Sequence, residues 1–157
     1  MFKKIKKYML KQAIKCLGHK DPYPETVKEI LDDNIKYKDD LIQVMESFKR
    51  SNPWKQQEEK FKNLNIALAQ LYDITVPLLI FTNDRPSCYI PFVHTIFLCT
   101  ERDGKYSVIT YLHEFGHAIG KNEKNTCRWS INLFRKIFPN SYDKLVPHKH
   151  MLYKKDL

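Results

Sequence analysis

The sequence predicts one α+β domain in which helices come first, a small and mainly antiparallel sheet follows, and a pair of helices comes after it. Three observations carry that prediction. Two long stretches before residue 73 repeat apolar residues at helical spacing. Short runs between residues 76 and 99 are rich in strand formers and are broken by turn residues. From Tyr106 to Leu112 helical spacing returns without Gly or Pro. At 157 residues the chain has the size of one ordinary domain, spanning 1–157 and able to bury most of its apolar surface without covalent staples.

Residues 1–20 read as a basic helix, in which Phe2, Ile5, Met9, Ile14 and Leu17 loosely share a side and lysines fill the rest. A run of this kind is ordinarily a solvated face packed on the domain. The functional reading is a foot on an anionic membrane surface or on nucleic acid. Two further helical stretches, about 24–49 and 53–72, are separated by Ser51-Asn52-Pro53, read as a cap followed by a first-turn proline.

The strand region opens with residues 76–82 and turns at Asn83-Asp84-Arg85-Pro86. Two short arms follow, Tyr89-Ile90-Pro91 and Thr95 to Cys99, and Pro91 demotes the first to an edge or a bend. If Thr95, Ile96, Phe97 and Leu98 form a free edge, their unpaired backbone groups hold an extended peptide as an added strand. The plainer reading is a small sheet covering the core.

Residues 113–117 are His-Glu-Phe-Gly-His. On a helix, positions i and i+4 lie one above the other, so His113 and His117 turn their imidazoles toward one point. Glu114, a hundred degrees round, stands at the edge of that face and can take a proton from water without being a ligand. Ile109, Leu112, Gly116 and Ile119 share or border the histidine face, so the histidines look inward. Gly120 is a helix stop, and Asn122 a cap for a helix that Glu123 opens and Pro139 ends. Along that helix Glu123, Cys127, Ser130, Ile131, Phe134 and Phe138 share a face. Glu123 is then either a third metal ligand, completing a His, His, Glu set, or an acid that complements the helix dipole.

These residues resemble the zincin metallopeptidases, and within them the gluzincin side, including the ImmA/IrrE-type and minimal-gluzincin proteins. In those families a helix bearing Glu-x-x-Ala-Asp/Asn follows the motif helix. Here Glu123 holds the first place, and Thr126 and Cys127 stand where the pattern has Ala and Asp or Asn. The resemblance covers residues 76–139, the expected metallopeptidase core. It implies a zincin-like fold and a zinc-dependent peptidase with one Zn2+ ion held by His113, His117 and Glu123. Glu114 would take a proton from a metal-activated water and pass it to the leaving amine of a peptide or protein substrate. Two rivals stand beside it: a catalytically silent zincin-like binding or assembly module with a structural metal, and a nucleic-acid-associated peptidase.

The tail supplies Tyr142, His148 and His150 as candidate stabilisers of the oxyanion formed during hydrolysis. His148-Lys149-His150 also offers an alternative third ligand to Glu123. His19 and His94 rank behind them. The four cysteines, at 16, 88, 99 and 127, show no CxxC pairing and no secretory signal precedes them, which favours reduced thiols and a cytoplasmic protein. A Cys88–Cys99 bridge is the one pairing the hairpin suggests. Cys127 is read as a buried free thiol, with zinc ligation the rarer alternative. No run reaches the roughly 18 apolar residues of a membrane helix. The balance of 27 Lys+Arg against 18 Asp+Glu gives +9, which favours acidic partners, though no nucleic-acid-binding module is legible.

Overall fold

The computed structural model describes residues 38–99, 107–148 and 151–154, so the basic segment 1–20, the first part of the 24–49 stretch and His150 lie outside the described residues. Among the described residues the fold is α+β, with five helices, a three-stranded sheet and a two-stranded hairpin.

Helix α1, Lys38–Arg50, buries Leu41, Met45 and Phe48 at successive turns, and Asp39, Asp40, Lys49 and Arg50 complement its dipole at the two ends. Ser51-Asn52-Pro53 closes this helix instead of opening the next. The Ser51 hydroxyl donates backward to the Phe48 carbonyl at 2.6 Å, and Asn52 takes the left-handed backbone with φ 51°. Helix α2 therefore starts later, at Gln57, and runs to Leu71. It buries Phe61, Leu64, Asn65 and Leu68.

Strands β1 (Leu78–Thr82), β2 (Cys88–Ile90) and β3 (Thr95–Cys99) form a sheet in the order β1-β3-β2. β1 runs parallel to β3 and β2 antiparallel to it, so the sheet is mixed where a mainly antiparallel one was expected. This overturns the free-edge reading of Thr95, Ile96, Phe97 and Leu98. β3 is the central strand, with backbone groups paired on both sides, and the outer strands are β1 and β2. The cause lies in the turn. Pro91 ends β2 and opens a 3-10 turn, Pro91–Val93, and His94 at φ 46° folds the chain back so that β3 inserts between its predecessors. Cys88 faces Phe97 across the pair, which puts Cys99 out of register with it, and Cys88, Cys99 and Cys127 are all free thiols. The tail adds an unanticipated antiparallel pair, β4 (Leu145–His148) with β5 (Met151–Lys154).

One apolar cluster joins these elements. Phe61 is its hub, meeting Phe48, Phe81 and Tyr111 edge to face at 5.3, 6.4 and 5.4 Å. Beside it the buried Asn65 amide donates to the Pro77 carbonyl at 2.7 Å and accepts from the Tyr111 hydroxyl at 3.0 Å. Asn65 thus fixes the entry to the sheet against the helix that carries residues 113–117. Asn65→Leu is expected to leave both partners buried and unpaired, costing about 2–6 kcal/mol at roughly 1–3 kcal/mol per group. The check is a lower urea midpoint at unchanged slope.

Candidate metal centre

Helix α3, Ser107–Ala118, packs Val108, Tyr111, Leu112 and Phe115 into the core, which leaves His113 and His117 on its flank toward the next helix. Its end is closed by two reverse bonds. The Lys121 amide donates to the Gly116 carbonyl and the Gly120 amide to the His117 carbonyl, both at 3.0 Å, with Gly120 at φ 85°. The Asn122 side chain then accepts from the Asn125 amide at 2.9 Å and starts helix α4, Glu123–Ile137. So tight a connection lays the two helices against each other. A methyl group built on Gly116 would come within 2.9 Å of Thr126 Cγ2 and 3.1 Å of its Oγ1. The larger Thr126, where the resembled pattern has alanine, is thus matched by the missing side chain of Gly116.

Close approach brings Glu123 onto the histidines. His113 Nε2 lies 3.1 Å from Glu123 Oε1, His117 Nε2 lies 3.1 Å from Glu123 Oε2, and the two Nε2 atoms are 3.2 Å apart. The three side chains are only 16, 17 and 12 % exposed. Donors bound to one zinc ion at about 2.0–2.1 Å and tetrahedral angles stand roughly 3.3 Å apart, close to these three edges. The chemistry of the donors agrees. His117 Nδ1 lies 3.1 Å from the Lys121 carbonyl, which can only accept, so that nitrogen carries a proton; in the neutral ring Nε2 then turns a lone pair inward, and in the imidazolium its N–H donates to Glu123. Electron pairs from a neutral imidazole and a carboxylate converging in one place call for a cation or protons between them.

The electrostatics follow from that crowding. Burial opposes ionisation of Glu123, yet the hydrogen bonds and charges of His113 and His117 outweigh it and hold the carboxyl far below its usual range. Burial likewise works against a charge on His117, but its contact with Glu123, the charges of Glu114 and Glu123, and the Lys121 carbonyl lift its pKa above the usual imidazole value.

Glu114 sits apart from the triangle. Its carboxylate is buried and accepts the Tyr89 amide at Oε2, 2.6 Å, from β2, an outer strand of the sheet. Burial raises its pKa, against the pull of His113, His117 and the Tyr89 amide. Tyr89 is in turn held by His94, whose Nδ1 lies 2.8 Å from the Tyr89 hydroxyl while its Nε2 lies 2.6 Å from the Thr75 carbonyl. His94 is a brace for the strand that anchors Glu114.

The remaining candidates are not gathered at this point. Tyr142 packs under the Arg135 guanidinium, 5.6 Å from its ring centre, at the far end of α4. Arg135 is twelve residues beyond Glu123, about 18 Å along a helix, so Tyr142 is not brought over the histidines. His148 lies in β4 opposite Met151, and His150 is outside the described residues. One contributor, the Tyr89 amide, was not foreseen, and another, Cys127, was ranked as the rarer ligand. The Tyr89 amide carried no signal in the sequence, whereas Cys127 was visible one turn after Glu123 on the same face. Its sulfur, with donor atoms of His113 and Glu123, forms a second and looser group within 4.8 Å. The His113, His117, Glu123 triangle is the tighter set, because its three edges all lie between 3.1 and 3.2 Å. Comparison with known protein families, with curated proteins and with solved structures finds no match to this chain.

Proposed function

We propose that the chain is a zinc-dependent peptidase, with zinc held by His113, His117 and Glu123 and with Glu114 as general base. The single observation that carries this reading is the convergence of two Nε2 atoms and one carboxylate, each nitrogen 3.1 Å from one carboxylate oxygen and 3.2 Å from the other nitrogen. A bound zinc ion supplies Lewis acidity and makes water a nucleophile at neutral pH. The chain's own residues do the rest. Glu114, tethered to Tyr89 through Oε2, is kept out of the ligand set and accepts a proton from water at its carboxylate. Its burial strengthens its hold on that proton until the leaving amine takes it. Glu123, ionised beside the histidines, supplies the negative charge that a divalent cation requires.

Purified protein is expected to carry one zinc ion per chain and to cleave an unfolded protein substrate. Cleavage should stop with a chelator, return with added zinc and be absent from His117→Ala. A wild-type chain that takes up no zinc would overturn the reading.

A second reading has its own observation. Cys127 Sγ lies 3.8 Å from Glu123 Oε1, near enough to close a site of four protein ligands. Such a site is structural, and the chain would then be a binding or assembly module. Zinc removal would unfold it, and no hydrolysis would accompany binding.

A further inference from the structure

We propose that Cys127 is a positioning residue of this centre, one thiol that joins His113 to Glu123. The inference rests on the metal reading given above. Glu123 and Cys127 are separated by one helical turn, so the sulfur lies over the carboxylate that it serves. Cys127 is buried, 6 % exposed, and its Sγ lies 3.8 Å from Glu123 Oε1 and 3.7 Å from His113 Nδ1.

Those two contacts constrain each other. Toward Glu123 Oε1 the sulfur is the donor, so the thiol hydrogen lies in that contact. With that hydrogen committed, the contact with His113 is a hydrogen bond only if Nδ1–H donates to the sulfur. His113 is then the Nδ1–H tautomer, with the Nε2 lone pair on the triangle. His117 reaches the same tautomer by another route, through the Lys121 carbonyl. The two histidines are thus oriented by different partners, one a backbone group and one a side chain that can be changed. An aspartate at 127 would accept from His113 but repel Glu123. An alanine would do neither. A hydroxyl shares the thiol's capacity to donate and accept at once, on a shorter bond.

The test measures zinc affinity by competition with a chromophoric chelator for wild type, Cys127→Ala and Cys127→Ser, together with absorption spectra of the Co2+-loaded proteins. Loss of an orienting partner costs about tenfold or more in metal affinity. Cys127→Ala is therefore expected to bind zinc about tenfold more weakly or worse. Cys127→Ser should recover most of that loss, which a role in packing alone would not predict, and it keeps the test open if the alanine variant misfolds. The Co2+ spectrum of wild type is expected to lack a thiolate-to-metal charge-transfer band. Unchanged affinity in both variants would overturn the inference. So would a charge-transfer band in wild type that Cys127→Ser abolishes, since Cys127 would then be a ligand. Absence of metal binding in wild type would instead overturn the zinc reading itself.

Discussion

Glu114→Gln is expected to lower hydrolysis by about 10²- to 10⁴-fold, the usual contribution of a positioned acid–base group, while zinc uptake stays near wild type. The substitution keeps shape and keeps an oxygen for the Tyr89 amide, which now donates to Oε2 at 2.6 Å. It removes only the capacity to hold and return a proton. Equal turnover in the variant, measured on the same zinc-loaded preparations, would show that Glu114 is not the base. The same variant has a stability signature without zinc. Burial, the largest influence on Glu114, raises its pKa in the folded protein. The folded state therefore prefers the protonated acid. That preference contributes stability fully present below the unfolded carboxyl value of about 4.3 and lost as pH rises through the higher folded value. Glutamine has no such dependence. Metal-free Glu114→Gln should gain on wild type as pH rises through that window, and denaturant midpoints that keep a constant difference would contradict it.

The second large effect concerns Gly116. Its substitution by alanine drives a methyl group to 2.9 Å from Thr126 Cγ2, too close for a carbon pair, so α3 and α4 must separate. Overpacking costs about 1–3 kcal/mol. Replacing a helical glycine with alanine returns about 1 kcal/mol of propensity, so overall stability is expected to change modestly. The site is less forgiving. Glu123 and the histidines sit on opposite sides of that contact, and a displacement of about 1 Å can cost about 100-fold in rate. Gly116→Ala should therefore keep its fold and lose most activity and metal affinity. Thr126→Ala in the same chain removes the opposing methyl and hydroxyl and is expected to restore much of both. Two variants whose effects simply add would rule out the contact as the cause, because touching residues normally couple by about 0.5–3 kcal/mol.

Much of the centre was legible because its parts are local. The i, i+4 histidines, the stop at Gly120, the cap at Asn122 and the face of the following helix are all set by neighbours within a few residues, and the structure has each of them. What sequence could not supply was long-range pairing. The strand formers of Thr95–Cys99 fit an edge or a centre equally well, and only the arrival of β1 on the other side decides which. Ser51 failed for a subtler reason, since its hydroxyl can serve the amide ahead or the carbonyl behind, and here it serves the carbonyl. The anchoring of Glu114 by a backbone amide was invisible, because every residue but proline has one.

That anchor divides the molecule in two. His113, His117 and Glu123 lie within eleven consecutive residues of a single helical hairpin, whereas Glu114 is tied to a strand 25 positions earlier in the chain. On the proposed zinc reading, holding an ion would rest on the helical hairpin alone, whereas proton transfer by Glu114 would also need β2 in place. A local opening that lifted β2 away from α3 would free the base and leave the ligands assembled. If the zinc reading holds, hydrolysis is expected to fail on mild denaturation before zinc is released.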